Sequence, residues 1–307
     1  MQEVNSNKHP NNFDDEIDLR ELFYVLLKGK WIIVSVTAFV SIVGVIYSLS
    51  LPNIYISKAL LVPVNSSSGI SGALRNYSGL AGLAGISIPS GGDGGNAPKA
   101  IKKISSFSFF KNKLLKNIFL PNLMAVKYWN FETNTLVYDE SIFDIDNSTW
   151  EEIPSAQEGY RVFMAEHFSL SEDKSSGFIT LSIKHQSPFI AKQWAELIIT
   201  EINSFYREKD KSESEKAVSY LNQQISMTSL SEIKQVLAQL LQEETKKLTL
   251  IEANQFYVFD YIDPPVAMEE KSEPKRPLIC ILSAILGGML GISLVLIRHY
   301  FFKEKVA

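Results

Sequence analysis

The best candidates for acid, base or metal chemistry in this sequence are the carboxylates Asp139, Glu140, Asp144, Asp146, Glu151 and Glu152. Asp144-x-Asp146-x-Ser148 opens like a calcium loop, in which alternate oxygens ring a hard cation. The pattern then fails, because Thr149 stands where the turn glycine belongs and Ser155 where a bidentate glutamate belongs, so the stretch reads as a solvated acidic loop. His9, His167, His185 and His299 are scattered, with no spacing suited to a metal. The single cysteine, Cys280, lies in an apolar run, which leaves neither a Cys-His pair nor a disulfide within the chain. Glycines are dense between Ser66 and Asn96 but lead into no Lys-Ser or Lys-Thr, so they cradle no phosphate. That stretch reads as a flexible connector with one short helix around Ala73 to Ala84. Catalytic, cofactor and metal sites are accordingly all expected to be absent. The remaining pattern with chemical content concerns packing: Gly287 and Gly291 stand four apart with Ser283 on the same face, a spacing that lets two membrane helices approach closely.

Those glycines sit in one of two uncharged apolar runs, Trp31 to Leu51 and Leu278 to Ile297. A helix of about 20 residues crosses the hydrocarbon layer of a bilayer, and both runs reach that length. Lys28, Lys30 and Trp31 flank the first, while Arg298, His299 and Tyr300 flank the second, as interfacial anchors. The first run follows a long polar lead and lacks a small-residue cleavage pattern, so it reads as an anchor and not as a cleaved signal. Neither run carries a charge, which argues against a proton or ion pathway. A modest excess of Lys and Arg outside the two runs favours cytoplasmic termini.

Between the runs the periodicities change. Ile54 to Val64 and Phe256 to Ile262 are rich in β-branched and aromatic residues and read as strands, each beside a membrane run, and they are expected to pair with each other. Phe178 to His185 alternates cleanly, with Ile179, Leu181 and Ile183 on one face. Ser187-Pro188 is a helix start, the serine as cap and the proline in the first turn. From there an apolar stripe runs through Ala191, Trp194, Ala195, Ile198, Ile202 and Phe205, then Val218, Leu221 and Ile225, and on to Ile251. Unbroken, this helical region of about 65 residues would reach about 100 Å. A break is expected at Ser226 to Ser231, where Ser229 and Glu232 make a capping box. The polar stretch Arg207 to Lys216 must stand away from a core, and the stripe beyond it needs neighbours, which sister copies would supply. Ala100 to Leu115 is also helical in pattern, and Asp18 to Leu27 reads either as an amphipathic helix at the membrane face or as an extension of the first span. Met1 to Asn12 reads as disordered.

The whole chain of 307 residues carries a net charge of −4, against a nucleic-acid surface. The expected organisation is a cytoplasmic segment 1–30, a transmembrane helix 31–51, a periplasmic domain 52–276 with its long helical region about 188–254, a second transmembrane helix 277–297 led by the proline-rich 264–277, and a cytoplasmic tail 298–307.

In its blocks and their order the chain resembles the Wzz-type polysaccharide chain-length determinants, or polysaccharide co-polymerases. Pro265, Pro274, Lys275, Gly287 and Gly291 fall on the spacing of the pattern before and within that family's second span, with Met268 in place of a proline and Glu273 in place of a serine. IDLRELFYVLLKGKW, LPNIYISKALLVPV, SPFIAKQWAELIITEIN and YVFDYIDPP also look like the family, whereas Asn117 to Tyr160 does not. The resemblance implies an α+β membrane protein: two transmembrane helices flanking a periplasmic α/β base domain with a long extended helix. It implies a homo-oligomeric ring in the bacterial inner membrane, with no enzyme activity. Such a ring sets the modal length of a lipid-linked glycan, with lipopolysaccharide O-antigen as the expected client, built by a separate membrane polymerase. It casts Pro265, Pro274, Lys275, Gly287 and Gly291 in transmembrane packing and length control. Some relatives carry a cytoplasmic tyrosine autokinase, which the ten residues after the second run lead us not to expect here. The alternatives are a capsule or exopolysaccharide export adaptor, a two-span periplasmic sensor, and a membrane glycosyltransferase, the last disfavoured by the missing acid, base and metal groups.

Overall fold

A computed structural model describes residues 19–64, 96–254 and 256–303. Asp18 and the polar residues before it fall outside these, as does most of the glycine- and serine-rich stretch, including the helix expected around Ala73 to Ala84. In chain order the elements are α1 (Leu19–Lys28), α2 (Lys30–Ser50), β1 (Tyr55–Pro63), α3 (Ala97–Ile104) and α4 (Phe107–Phe109, continued as a π-helix over Phe110–Leu114). There follow α5 (Leu120–Met124), β2 (Val126–Asn130), β3 (Thr135–Tyr138), β4 (Phe143–Asp144), β5 (Thr149–Trp150) and α6 (Ala156–Val162, continued as a π-helix over Phe163–His167). The chain then forms β6 (Phe168–Glu172), β7 (Ile179–His185), α7 (Pro188–Met227), α8 (Ser231–Ala253), β8 (Phe259–Asp263) and α9 (Arg276–Lys303). Two compact units result, Met1–Leu51 with Pro274–Ala307, and Pro52–Glu273.

The larger unit is built on a four-stranded antiparallel sheet in the order β6-β7-β1-β8. The strand that follows the first apolar helix thus pairs directly with the strand that precedes the second, from Pro63↔Phe259 to Leu60↔Asp263. On its other side β1 pairs with β7, from Tyr55↔His185 to Leu61↔Ile179. The alternation read in the sequence buries Ile179, Leu181 and Ile183 beside Ala59 and Leu61. Over that face α7 lays Ala191, Trp194, Ala195, Ile198 and Ile202, the apolar stripe of its first half. Each buried Leu or Ile among them contributes about 1.5–3 kcal/mol by leaving water. The run from Ala100 to Leu115 is not one helix. It breaks at Ser105–Ser106, where the Ser106 Oγ accepts from the Phe109 amide at 3.3 Å, and the turn directs Phe109 and Phe110 into the core. Phe110 and Phe163 meet there with ring centroids 5.4 Å apart.

Pro188 opens α7 as expected, but the Ser187 side chain makes no capping bond, and its own amide donates to the His185 ring at 2.9 Å. The helical region is also not one straight rod. The 40 residues of α7, about 60 Å long, end at Thr228, whose amide and hydroxyl both bond the Gln224 carbonyl at 3.0 and 2.8 Å. The break therefore falls inside Ser226 to Ser231, yet without the capping box, since Leu230 is the residue before α8 and no side chain caps it. Folding back, α8 runs antiparallel to α7, and Lys211 pairs with Glu252 across the two helices. The physical reason is burial: a single rod would leave Leu221 and Ile251 in water, whereas the hairpin covers both within one chain. The first neighbour that the stripe needs is thus supplied in cis.

A polar lock closes the unit. Asn203, buried in α7, accepts from the backbone amides of Tyr257, Val258 and Phe259 at 3.2, 2.7 and 3.0 Å, and donates to the Phe259 carbonyl at 3.0 Å. Two turns along, Asp210 accepts from the Tyr257 hydroxyl at 2.6 Å and the Asn96 amide at 2.7 Å. Burial, followed by that carboxylate, holds the Tyr257 phenol well above its ordinary range.

Candidate functional site

In the smaller unit α2 and α9 are the two helices long and apolar enough to span a bilayer among the described residues. They run antiparallel, and a four-residue ladder on α9 sets their contact: Ser283, Gly287, Gly291 and Val295. Ser283 lies against Gly44. A Cβ added to Gly287 would stand 2.9 Å from the Thr37 Cα, and one added to Gly291 would stand 2.9 Å from the Ile33 Cα. Those are backbone atoms, which cannot step aside, so glycine at both positions is what lets the two helices touch. Val295 ends the ladder against Gly29, where α1 stops and α2 begins. Neighbouring Gly288 has only the Thr37 Oγ1, at 3.9 Å, near the position of its missing Cβ. In a bilayer, where hydrocarbon would lie on every other side, close packing is the main attraction open to such helices.

The proline segment enters α9 in two pieces. Pro265 belongs to the larger unit, where it is buried, and the Ser57 hydroxyl donates to the adjacent Val266 carbonyl at 2.8 Å. Prolines have no amide to give a sheet, and the segment is held instead by side chains and by its far end. There the Ile54 amide bonds the Glu273 carbonyl at 3.0 Å, the Ser272 amide bonds the Ile54 carbonyl at 2.9 Å, and Lys184 of β7 pairs with Glu273 at 2.6 Å. Glu273, the departure from the family's serine, thus has a partner on the sheet. Pro274 and the exposed Lys275 belong to the smaller unit, where their carbonyls take the first bonds of α9, from Arg276, Leu278 and Ile279. The structure therefore groups Gly287 with Gly291, places Pro274 and Lys275 at the start of the same helix, and gives Pro265 to the sheet.

The acidic stretch closes turns. Asp139 accepts from the Ser141 amide and hydroxyl, and Asp144 accepts from Asp146 and Asn147, bonds that hold both carboxyls below their ordinary range. Among the described residues no group of three metal-ligating side chains converges.

A pair that the sequence spacing does not reveal is His167 and His185, whose rings lie 5.7 Å apart, both edge-on to Trp194 at 5.4 and 5.0 Å. The Ser187 amide can only donate to the His185 Nδ1, and the Asn122 carbonyl, 2.9 Å from its Nε2, can only accept, so His185 is the neutral Nε2–H tautomer. Burial first, and His167 second, push its pKa down from 6.5 to about 4. Because the folded value lies below the unfolded one, no penalty exists above pH 6.5; below it the unfolded chain takes a proton that the native ring refuses, until about pH 4. Acidification across that window is expected to cost about 3 kcal/mol of stability from this residue. Denaturant midpoints measured between neutral and mildly acid pH check this. The His185→Gln variant, which keeps a donor and an acceptor, should flatten the loss, and an unchanged acid slope in that variant would refute the assignment.

With this geometry in place, comparison with known proteins is informative. The family model described as "Chain length determinant protein", Wzz, matches residues 15–114, and the one described as "G-rich domain on putative tyrosine kinase", GNVR, matches residues 224–300. Among solved structures, the chain is similar to a full-length bacterial polysaccharide co-polymerase, with 15% identity, 94% of this chain and 100% of that one covered, and a TM-score of 0.43. It is also similar to a fragment of WzzB, a polysaccharide co-polymerase from Salmonella Typhimurium, at 14% identity, 72% and 100% coverage and a TM-score of 0.32. No curated protein matches. The first matched block holds the opening span and β1, and the second holds the returning helix, β8, the proline segment and the glycine ladder. With the determinant block at one end and the glycine-bearing block at the other, the chain is similar to the Wzz polysaccharide chain-length determinants over residues 15–114 and to the GNVR domain over residues 224–300.

Proposed function

We propose that this protein sets the modal length of lipopolysaccharide O-antigen, as a homo-oligomeric co-polymerase beside a separate membrane polymerase that extends a lipid-linked glycan, and that it catalyses no bond itself. The observation that carries this reading is the chain length determinant match over the first span and the strand that β8 later joins. In this reading both termini are cytoplasmic, 52–276 is periplasmic and the inner membrane holds both spans, with the flanking Lys28, Lys30 and Arg298 in support. Assembly of copies is supported by the helical hairpin, which leaves Tyr220, Met227, Leu230, Ile233 and Val236 exposed after folding back on itself. One other reading, a capsule or exopolysaccharide export or assembly adaptor, would use the same two apolar helices and base unit.

Deletion of the gene, followed by gel electrophoresis of surface polysaccharide, tests the proposal. The expected outcome is loss of the preferred O-antigen length with polymer still made. Abolished polymer would point to an enzyme or an exporter and refute the proposal, whereas intact O-antigen banding with altered capsule would select the second reading.

A further inference from the structure

Within the larger unit, the β2–β3 hairpin carries an aromatic cluster that neither the fold nor the proposed function uses. Trp129 lies with its ring 5.4 Å from Tyr55, 5.7 Å from Phe131 and 6.1 Å from Phe189. Tyr55 is buried and ties the cluster to β1, whereas Phe131 is 75% exposed and Phe189 52% exposed. The Trp129 Nε1 donates at 3.0 Å to the Asn134 side chain, and the Asn130 side chain accepts from the amides of Glu132 and Thr133, so the turn itself fixes the hairpin rings. Phe131 stands at 88° to Trp129, and Phe189 at 65°. Rings crossed so steeply present a stepped surface, not one flat apolar face.

Size and charge select the occupant. A whole aromatic side chain presents about 150–250 Å², so the exposed parts of these rings offer on the order of 300 Å². A stable protein interface takes about 800 Å² from each partner, well beyond that. The polar side chains beside the rings, Lys127, Glu132 and Asn134, are all exposed. Lys127 and Glu132 cancel in charge, which leaves no pull on nucleic acid or on anionic lipid headgroups. Rings with a few convergent polar groups are the usual lining of a small-ligand site. The ligand that matches is small and uncharged, with apolar faces and hydroxyl edges. A sugar ring is such a body. Its C–H bonds, slightly positive, lie against the negative face of an aromatic ring, and its hydroxyls are matched by donors on Lys127 and Asn134 and an acceptor on Glu132.

We infer that Trp129, Phe131 and Phe189 form a glycan subsite, on which one or two sugar rings of the polymer stack. The inference deepens the proposed function and rests on it for the identity of the polymer. All three residues lie between the two matched blocks, 15–114 and 224–300, so the subsite belongs to this chain's own central stretch.

A shallow site binds weakly, and saturation-transfer difference NMR suits it, since irradiated protein protons pass magnetisation to whatever sugar protons touch them. The test uses the full chain in nanodiscs, with empty nanodiscs as the blank. The probes are O-polysaccharide released by mild acid from the source strain's lipopolysaccharide and, separately, its capsular polysaccharide. Transfer to O-polysaccharide is expected, and Phe131→Ser with Phe189→Ser should lower it several-fold. Tyr128→Ser, which removes an exposed ring on the opposite face of β2, should leave it unchanged. Equal transfer from the wild type and the double variant would overturn the subsite, leaving these rings to lipid or to a protein partner, while the proposed function stands with the glycan held elsewhere. Absence of transfer to either probe would also overturn the subsite, and gel banding of the deletion strain then decides the proposed function separately. Transfer to capsular polysaccharide alone, lost in the double variant, would uphold the subsite and refute O-antigen as the client.

Discussion

Asn203→Ala is expected to lower the stability of the larger unit by about 3–5 kcal/mol, a large share of what a domain of this kind has. The side chain is buried and all its bonds go to one short piece of backbone, the amides of Tyr257, Val258 and Phe259 and the carbonyl of Phe259. Alanine removes the shared acceptor and leaves three buried donors and one acceptor without partners, at a cost of about 1–3 kcal/mol for each group that water cannot reach. What is lost is the attachment of β8, hence the closure of the sheet between the two membrane runs. Thermal unfolding of the full chain in nanodiscs checks the magnitude, and hydrogen exchange at residues 257–259 checks the cause, since those amides should lose their protection first. Asn203→Asp keeps the acceptor but sets a second oxygen against the Phe259 carbonyl. It should keep the three amides protected while losing the bond to that carbonyl. Unchanged melting with protected amides in the alanine variant would show that the lock holds nothing.

Replacing Gly287 and Gly291 together by leucine is expected to separate α2 from α9 and to erase the preferred polymer length, while the larger unit stays folded. At both positions the obstructing atom is a backbone Cα 2.9 Å from the new Cβ, so no rotamer change relieves the clash and the helices must move apart. Overpacking of this kind costs about 1–3 kcal/mol a site, and separation also forfeits the contacts along the rest of the ladder from Ser283 to Val295. Gly288→Ala is the internal control, since its Cβ would meet only the Thr37 Oγ1 at 3.9 Å, an ordinary contact. Disulfide trapping between paired cysteines in α2 and α9 reads the separation, and a polysaccharide gel reads the function. Sharp banding from the leucine variant at normal expression would detach this helix contact from length control, and a defect in the alanine control would discredit the geometric reasoning.

The parts of this protein legible in its residues are those set by local period and length. Two uncharged runs of membrane length, the alternation of Ile179, Leu181 and Ile183, the start of α7 at Pro188 and the break within Ser226 to Ser231 all follow from the preferences of neighbouring residues. The spacing of Gly287 and Gly291 is equally local, being one helical turn, and it marks a close approach before any partner is known. Other features joined residues far apart in the chain. Nothing near Asn203 announces three amides more than fifty residues away, nothing near His185 announces Asn122 or His167, and nothing near Trp129 announces Tyr55 and Phe189. The return of α8 along α7 belongs with these, because a continuous apolar stripe is compatible with a rod covered by other copies and with a hairpin covered by itself. Periodicity states that a face must be buried. Only the folded chain decides against what, since that choice is the sum of many contacts, none of which is local in sequence.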